Sequence, residues 1–471
     1  MKRLSVILAM VVLGVGWSGA VEEGREGPVN IVYILADDLG YGDLGCYGQE
    51  IMQTPRIDEM AAGGLRFTDH YSGSCECAPT RSVLMTGQHT GRTRVRKNGQ
   101  GPLLPEDVTV AEVLKGAGYT TMGIGKWGIG EEGTTGVPWE QGFDHFFGYL
   151  NQTNAHHYYP PFLWKDGEKI SYPDNPEKRT HYSHDLMTDE ALNFIEENRE
   201  GPFFLYLAYT LVHVDLDVPE DSKAPYVGVI EETEPYGTPG GQHYRYEEQP
   251  HATFAGMTSR LDRDVGRILD LLENLEIAEN TLVIFTSDNG PTSAGGADPN
   301  FFNGNGDLRV IKFELYEGGI RVPMIAWWPG TVEPGTETDF VSAHWDMFPT
   351  FSALAGIDEE ELPEGLTGVS ILPTIRGEEQ PERDYLYWEN AGRMGMQAVR
   401  MGKWKGWRAG LAKDRDAPLE LYDLENDIGE ATDVAAANPE VVAEILAVME
   451  EAREAQKPDA LFIGRKNKKG K

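Results

Sequence analysis

The stretch Asn30-Ile-Val-Tyr-Ile-Leu-Ala36, followed at once by Asp37-Asp38, sets the fold class of this 471-residue chain. A continuous apolar run without polar alternation is the pattern of a strand buried on both faces of a parallel sheet. Two further runs read the same way: Phe203 to Tyr209, which ends just before His213, and Thr281 to Thr286, which ends in Ser287-Asp288-Asn289-Gly290. A fourth, Tyr119 to Ile124, leads into Gly125-Lys126-Trp127-Gly128. Helical patterns lie between them, over Val108 to Lys115 and over Met257 to Leu275, where Leu261, Val265, Ile268 and Leu272 form one apolar stripe. Strands alternating with helices predict an α/β fold: a large, open, mostly parallel sheet sandwiched by helices. Ligands of such sheets bind beyond the carboxyl ends of the strands, and the polar clusters of this chain fall there.

The chain is longer than one core usually grows, so a large unit with a smaller one beside it is expected. The pattern changes after about residue 375. Tyr385 to Glu389, Met396 to Trp407 and Leu419 to Asp423 read as short antiparallel strands, and Val441 to Ala455 as a terminal helix. The expected division is 27–375 for the large catalytic unit, 376–456 for a C-terminal antiparallel-sheet plus helix subdomain, and 457–471 for a basic tail. Pro219 to Pro250, rich in Glu, Gly, Pro and Tyr, reads as a long acidic loop over the site.

Acidic residues outnumber basic ones 76 to 41, a formal net charge of −35. Such a field argues against nucleic acid or an anionic membrane as a partner. It fits either a saline habitat, where screening weakens repulsion of anionic substrates, or simple solubility of an exported protein. Residues 1–20 read as a secretory signal: Lys2 and Arg3, the apolar run Leu4 to Val15, then Ser18-Gly19-Ala20 as the cleavage site. The run is short for a membrane anchor and no other segment could span a bilayer, so a secreted or periplasmic protein is expected.

Cys77-Ala78-Pro79-Thr80-Arg81, continued by Ser82-Val83-Leu84-Met85-Thr86-Gly87, resembles the signature of the formylglycine-dependent (type I) sulfatases, arylsulfatase-like members of the alkaline phosphatase superfamily. The resemblance extends from about Asn30 to the terminal helix. It includes Tyr316-Glu-Gly-Gly-Ile-Arg-Val-Pro323, Met401-Gly-Lys-Trp-Lys405 and Glu420-Leu-Tyr-Asp-Leu424. It implies an alkaline-phosphatase-like fold and the hydrolysis of a sulfate monoester, on a sulfated carbohydrate or an aryl sulfate, to alcohol and inorganic sulfate. In that family a maturation enzyme oxidises the motif cysteine to formylglycine, whose hydrate attacks sulfur, so Cys77 would carry the nucleophile.

The same resemblance assigns the other site residues. Asp37, Asp38, Asp288 and Asn289, with the oxidised Cys77, would hold one calcium ion, magnesium being the alternative; hard oxygen ligands are what either ion takes. Arg81, one helical turn beyond Cys77, would hold the aldehyde hydrate and the metal-bound acids. Lys126 and Lys312 match lysines that grip the sulfate, where a compact ammonium suits an oxyanion. His213 matches the general acid that protonates the departing oxygen. Many sulfatases carry histidine two residues after the Gly-Lys-Trp lysine, whereas this chain has Gly128. His156, in Asn154-Ala-His-His-Tyr-Tyr-Pro160, is the expected replacement, and the competing reading places His156 and His157 at the substrate mouth. Trp164, Tyr158, Tyr159 and His243 to Tyr246 are expected to set specificity.

A phosphonate or phosphodiester hydrolase using the same nucleophile, or a silent sulfoglycan-binding protein, are the rival functions. Three cysteines in an exported chain leave one over. Cys75 and Cys77 are too close to bridge comfortably, so Cys46 with Cys75 is the pairing that spares Cys77.

Overall fold

The computed structural model describes residues 28–240, 244–392, 394–456 and Leu461. The signal segment and most of the basic tail lie outside the described residues. Among the described residues, no helix is long and apolar enough to cross a membrane.

Asn30–Ala36 is a strand with every residue buried, as its apolar run predicts. It pairs in parallel with Phe203–Ala208 on one side and Thr281–Ser287 on the other, Ile31 lying opposite Phe204 and Leu282. Thr120–Lys126 and then His145–Tyr149 continue the parallel array beyond Phe203–Ala208. The full sheet has ten strands, and antiparallel pairing appears towards both edges, where Met324–Trp327 meets Thr281–Ser287 and Phe162–Lys165 meets His145–Tyr149. Successive side chains of a strand point to opposite faces. Val32, Ile34 and Ala36 therefore pack with Leu261, Val265 and Ile268 of the Pro250–Asn274 helix. Ile31, Tyr33 and Leu35 pack on the other face with Leu84, Met85, Leu114 and Phe351.

The four parallel strands that carry the sequence clusters are neighbours in the sheet, so their carboxyl ends open on one edge. Behind them, Cys77–Thr86 is a helix with every residue buried; it begins at Cys77, two residues earlier than Pro79 suggests.

Leu386–Asn390, Met396–Met401, Trp404–Ala409 and Glu420–Asp423 form a separate four-stranded antiparallel sheet, the run Met396 to Trp407 being broken into two strands by a turn. The Pro439–Glu451 helix covers it through Ile445 and Met449. This sheet is fastened to the large one by polar contacts as well as packing. Trp388 donates Nε1–H to the Ser72 carbonyl at 2.9 Å, and the Tyr316 and Trp407 rings stack at 4.3 Å. Lys405, fully buried, places Nζ 2.7 Å from Glu317 Oε1 and 3.8 Å from Glu430 Oε1.

Two expectations are corrected. Cys46, Cys75 and Cys77 are all free. Cys46 sits on the short turn after Leu44, its amide bonded to Asp58, whereas Cys75 is buried among Tyr71, Val83 and Trp388 with Asn390 Nδ2 3.5 Å from its sulfur; the two belong to different parts of the core. The 219–250 segment is also more structured than a loop: it holds the Glu220–Lys223 helix and a bridge between Tyr236 and Glu247.

Burial raises the Glu317 carboxyl, but Lys405, Arg321 and Arg400 outweigh it and bring the group down to about 2, below its ordinary 4.5. A lowered carboxylate stabilises the fold above its unfolded value and loses that contribution as pH falls through the folded one. The two sheets are therefore expected to loosen between about pH 4.5 and 2. Replacing Lys405 by Ala leaves buried carboxylates short of a cation and is expected to cost about 3–5 kcal/mol, read in denaturant unfolding followed by tryptophan fluorescence.

Candidate active site

Asp37 and Asp38 follow directly on Ala36. Adjacent residues of a strand face opposite sides, but Asp38 has φ +62°, which turns the chain so that both carboxylates enter the same space. Asp is among the few residues that take this left-handed conformation readily. Asp288 leaves the neighbouring strand with its amide on the Ala36 carbonyl at 3.0 Å, and its Oδ1 accepts the Asp38 amide at 3.1 Å. Gly290 permits the turn that follows, since a Cβ there would lie 1.9 Å from the Gly318 carbonyl oxygen.

Three cations neutralise this cluster. Lys126 Nζ donates to Asp37 Oδ2 at 2.6 Å, and Arg81 Nη2 lies 2.9 Å from Asp288 Oδ2 and 3.5 Å from Asp37 Oδ2. Lys312 Nζ donates to Asp38 Oδ1 and lies 3.0 Å from Cys77 Sγ. Cys77 Sγ in turn faces Asp37 Oδ1 at 3.6 Å. The first free amide of the helix, that of Ala78, is taken by Asn98 Oδ1 at 3.0 Å rather than directed at the site.

Burial and the charge of Asp288 push the Cys77 thiol up to about 12. The thiol is thus protonated at neutral pH and is no thiolate nucleophile. Asp37 is raised by burial but held well below the usual carboxylate range by Lys126, His213 and Arg81. Asp288 moves the other way, to about 6, because burial and the charge of Asp37 outweigh Arg81.

His213 reaches the cluster from beyond the end of the Phe203–Ala208 strand, Nε2 lying 3.4 Å from Asp38 Oδ2. Its Nδ1 is 2.8 Å from the Val214 carbonyl, a partner that only accepts, so Nδ1 carries a proton and Nε2 is the atom free to exchange one. Burial holds its pKa below the ordinary value. The His156 ring stacks on that of His213 at 4.6 Å and is brought to about 3 by burial and by the charges of His213 and Lys126. All the residues expected from sequence to act together are therefore assembled here: Asp37, Asp38, Cys77, Arg81, Lys126, His156, His213, Asp288, Asn289 and Lys312.

Other expectations shift. Tyr158 is buried, its hydroxyl bonded to the Thr210 and His213 carbonyls at 2.7 and 2.5 Å, so its polar end supports the His213 segment. Trp164 is buried too. His243 lies outside the described residues. Gln152 went unnoticed in the sequence: Gly128, at φ +77°, leaves room for it, a Cβ there lying 3.1 Å from Gln152 Cγ and Nε2. Asp215 was also passed over, though it stands two residues beyond His213; its Oδ2 lies 3.0 Å from His157 Nδ1.

The Sulfatase family model matches residues 29–357. The chain belongs to the sulfatase family. A second model, N-sulphoglucosamine sulphohydrolase, C-terminal, matches residues 309–457. Arylsulfatase A of Homo sapiens is 34% identical over 474 residues, covering 88% of this chain and 86% of that protein. The N-acetylgalactosamine-6-O-sulfatase of Bacteroides thetaiotaomicron is 29% identical over 517 residues, covering 90% and 93%. The solved structure of Ps i-CgsB in complex with k-i-k-neocarrahexaose aligns with a TM-score of 0.78 at 28% identity, covering 93% of this chain and 95% of that one. This sulfatase is accordingly a sulfuric ester hydrolase, of a family that works through formylglycine and a divalent metal.

The residues present fit such an ion. Asp37, Asp38, Cys77 and His213 offer ligand atoms within 4.8 Å of one another. Asp38 Oδ2 and Asn289 Oδ1 are buried with no hydrogen-bond partner, which is costly unless a cation is there to meet them. Calcium added to EDTA-treated protein is expected to raise its melting temperature in a concentration-dependent way, the gain reaching about 2.7 kcal/mol at a hundredfold excess over Kd. Differential scanning calorimetry across a calcium series checks this.

Proposed function

We propose that this sulfatase removes a sulfate monoester from a glycan in an exported compartment, using formylglycine made from Cys77 by a maturation enzyme and one calcium ion. The observation that carries the reading is the placement of Cys77 Sγ 3.0 Å from Lys312 Nζ and 3.6 Å from Asp37 Oδ1, in a buried centre shared with Arg81 and Lys126. A protonated thiol would be idle there, and oxidation to the aldehyde supplies a hydrate hydroxyl as nucleophile. Asp37, Asp38, Asp288, Asn289 and the oxidised residue 77 would hold the calcium ion, which would supply charge that offsets the ester and polarises its S–O bonds.

The chain's own residues do the rest. Lys126 and Lys312 stabilise the non-bridging sulfate oxygens, and Arg81, fixed by Asp288 and the Lys126 carbonyl, holds the nucleophile's side of the site. His213 delivers a proton from Nε2 to the bridging oxygen as the alcohol leaves. His156, neutral and stacked on His213, takes up the proton released when sulfate is expelled, the role left vacant by Gly128. The printed names of the relatives favour a glycan, and we place the division of the chain near residue 375, ahead of the antiparallel sheet that begins at Leu386.

Sulfate release from 6-O-sulfated N-acetylgalactosamine oligosaccharides and from an aryl sulfate tests the reading, with an aryl phosphonate monoester as the rival substrate. Sulfate esters are expected to be preferred, Cys77→Ala to lose at least on the order of 10³-fold in kcat, and the Cys77 peptide of the native protein to carry an aldehyde by mass spectrometry. Phosphonate preference or an unmodified thiol in active protein would overturn it. His156→Ala is expected to give a stoichiometric burst of alcohol followed by slow sulfate release; unchanged steady-state turnover would remove His156 from the reaction.

A further inference from the structure

Because His213 protonates the departing oxygen, the body of the substrate lies beyond that imidazole. A cavity of about 360 Å³ opens there, lined by residues that include His157, Tyr159, Arg179, Asp215, Tyr244 and Arg245. Short contacts join it to the catalytic centre. Asp215 follows Val214, whose carbonyl meets His213 Nδ1 at 2.8 Å, and the Tyr244 ring lies 6.0 Å from that of His156.

The carboxylates of this cavity have close partners. Asp217 Oδ2 accepts from Arg179 Nη1 at 2.8 Å, and the Arg179 guanidinium covers the Tyr159 ring at 4.0 Å. Asp215 accepts from the Arg245 backbone amide at 3.2 Å and lies 3.0 Å from His157 Nδ1. The Arg245 guanidinium is exposed and enters no ion pair or hydrogen bond among the described residues. In a chain of net charge −35, whose mean field repels anions, a guanidinium with no partner among the described residues is a local contact for an anion beside the leaving-group path.

We propose that this cavity is a subsite for a second anionic group borne by the glycan next to the scissile ester, with Arg245 as its cationic contact. The inference rests on the sulfate-ester reading above and adds to it a substrate class: a polyanionic saccharide. A sulfate or a carboxylate accepts two N–H groups of a guanidinium side by side, and the Tyr159 and Tyr244 rings offer apolar faces to the sugar that links the two anions.

The test compares wild type, Arg245→Ala and Arg245→Lys on three defined oligosaccharides: monosulfated and otherwise neutral, disulfated, and monosulfated with an adjacent uronate. Arg245→Ala is expected to lower kcat/KM about 10–100-fold on a dianionic substrate, through KM with kcat unchanged, and to leave the neutral one within about twofold. Arg245→Lys is expected to recover part of the loss. Whichever dianionic substrate responds identifies the anion. Equal loss on all three, or no loss on any, overturns the proposal. Calorimetric binding of the same oligosaccharides to Cys77→Ser protein, with and without Arg245→Ala, reads the subsite without turnover. Wild type that releases no sulfate would therefore sink the hydrolytic reading, while charge-selective binding through Arg245 would still decide the subsite.

Discussion

Everything in this molecule turns on neutralising three buried carboxylates with three buried cations. Asp37, Asp38 and Asp288 are all within 1% of full burial, as are Arg81 and Lys126, with Lys312 at 4%. Isolated ions at such depth would be prohibitively expensive, and pairing offsets that cost only when donor and acceptor meet at hydrogen-bond distance. The parallel sheet supplies that accuracy. Three of four adjacent strands deliver Asp37, Lys126 and Asp288 to one edge in fixed register, and the buried helix sets Arg81 one turn behind Cys77. The same arrangement that makes the cluster affordable leaves two oxygens, on Asp38 and Asn289, without a hydrogen bond.

The fold was legible because the central strands are buried on both faces, so their sequence is continuously apolar and ends abruptly in acid. The C-terminal strands were legible for the opposite reason: they are short, aromatic and separated by turn residues. Strand edges and helix starts were less so. Cys77 opens its helix two residues before Pro79, since the preceding Glu76 already has extended geometry, a feature of backbone rather than composition. The chemistry of the site was readable where residue type and strand end coincide, as at Asp37-Asp38 and Asp288-Asn289.

What escaped was tertiary. Nothing local in the sequence shows that the Tyr158 hydroxyl supports the segment carrying His213, whose carbonyl lies 55 positions away. Gln152 could not be connected to Gly128 from 24 positions away, because the link is the space a glycine leaves. The cysteines misled for the same reason: an exported chain with an odd count suggests one bridge, but Cys46 and Cys75 serve separate parts of the core.

The surroundings of Cys77 are completed by the far end of the chain. Ser72, Thr90 and Cys75 find their partners in Trp388, Glu389 and Asn390, at sequence separations of 316, 299 and 315 residues. Loop closure over such distances comes late, after local helices and neighbouring strands have formed. During synthesis the partners at 388–390 emerge only after nearly four hundred residues have been made, so the wall behind Cys77 cannot be complete before then.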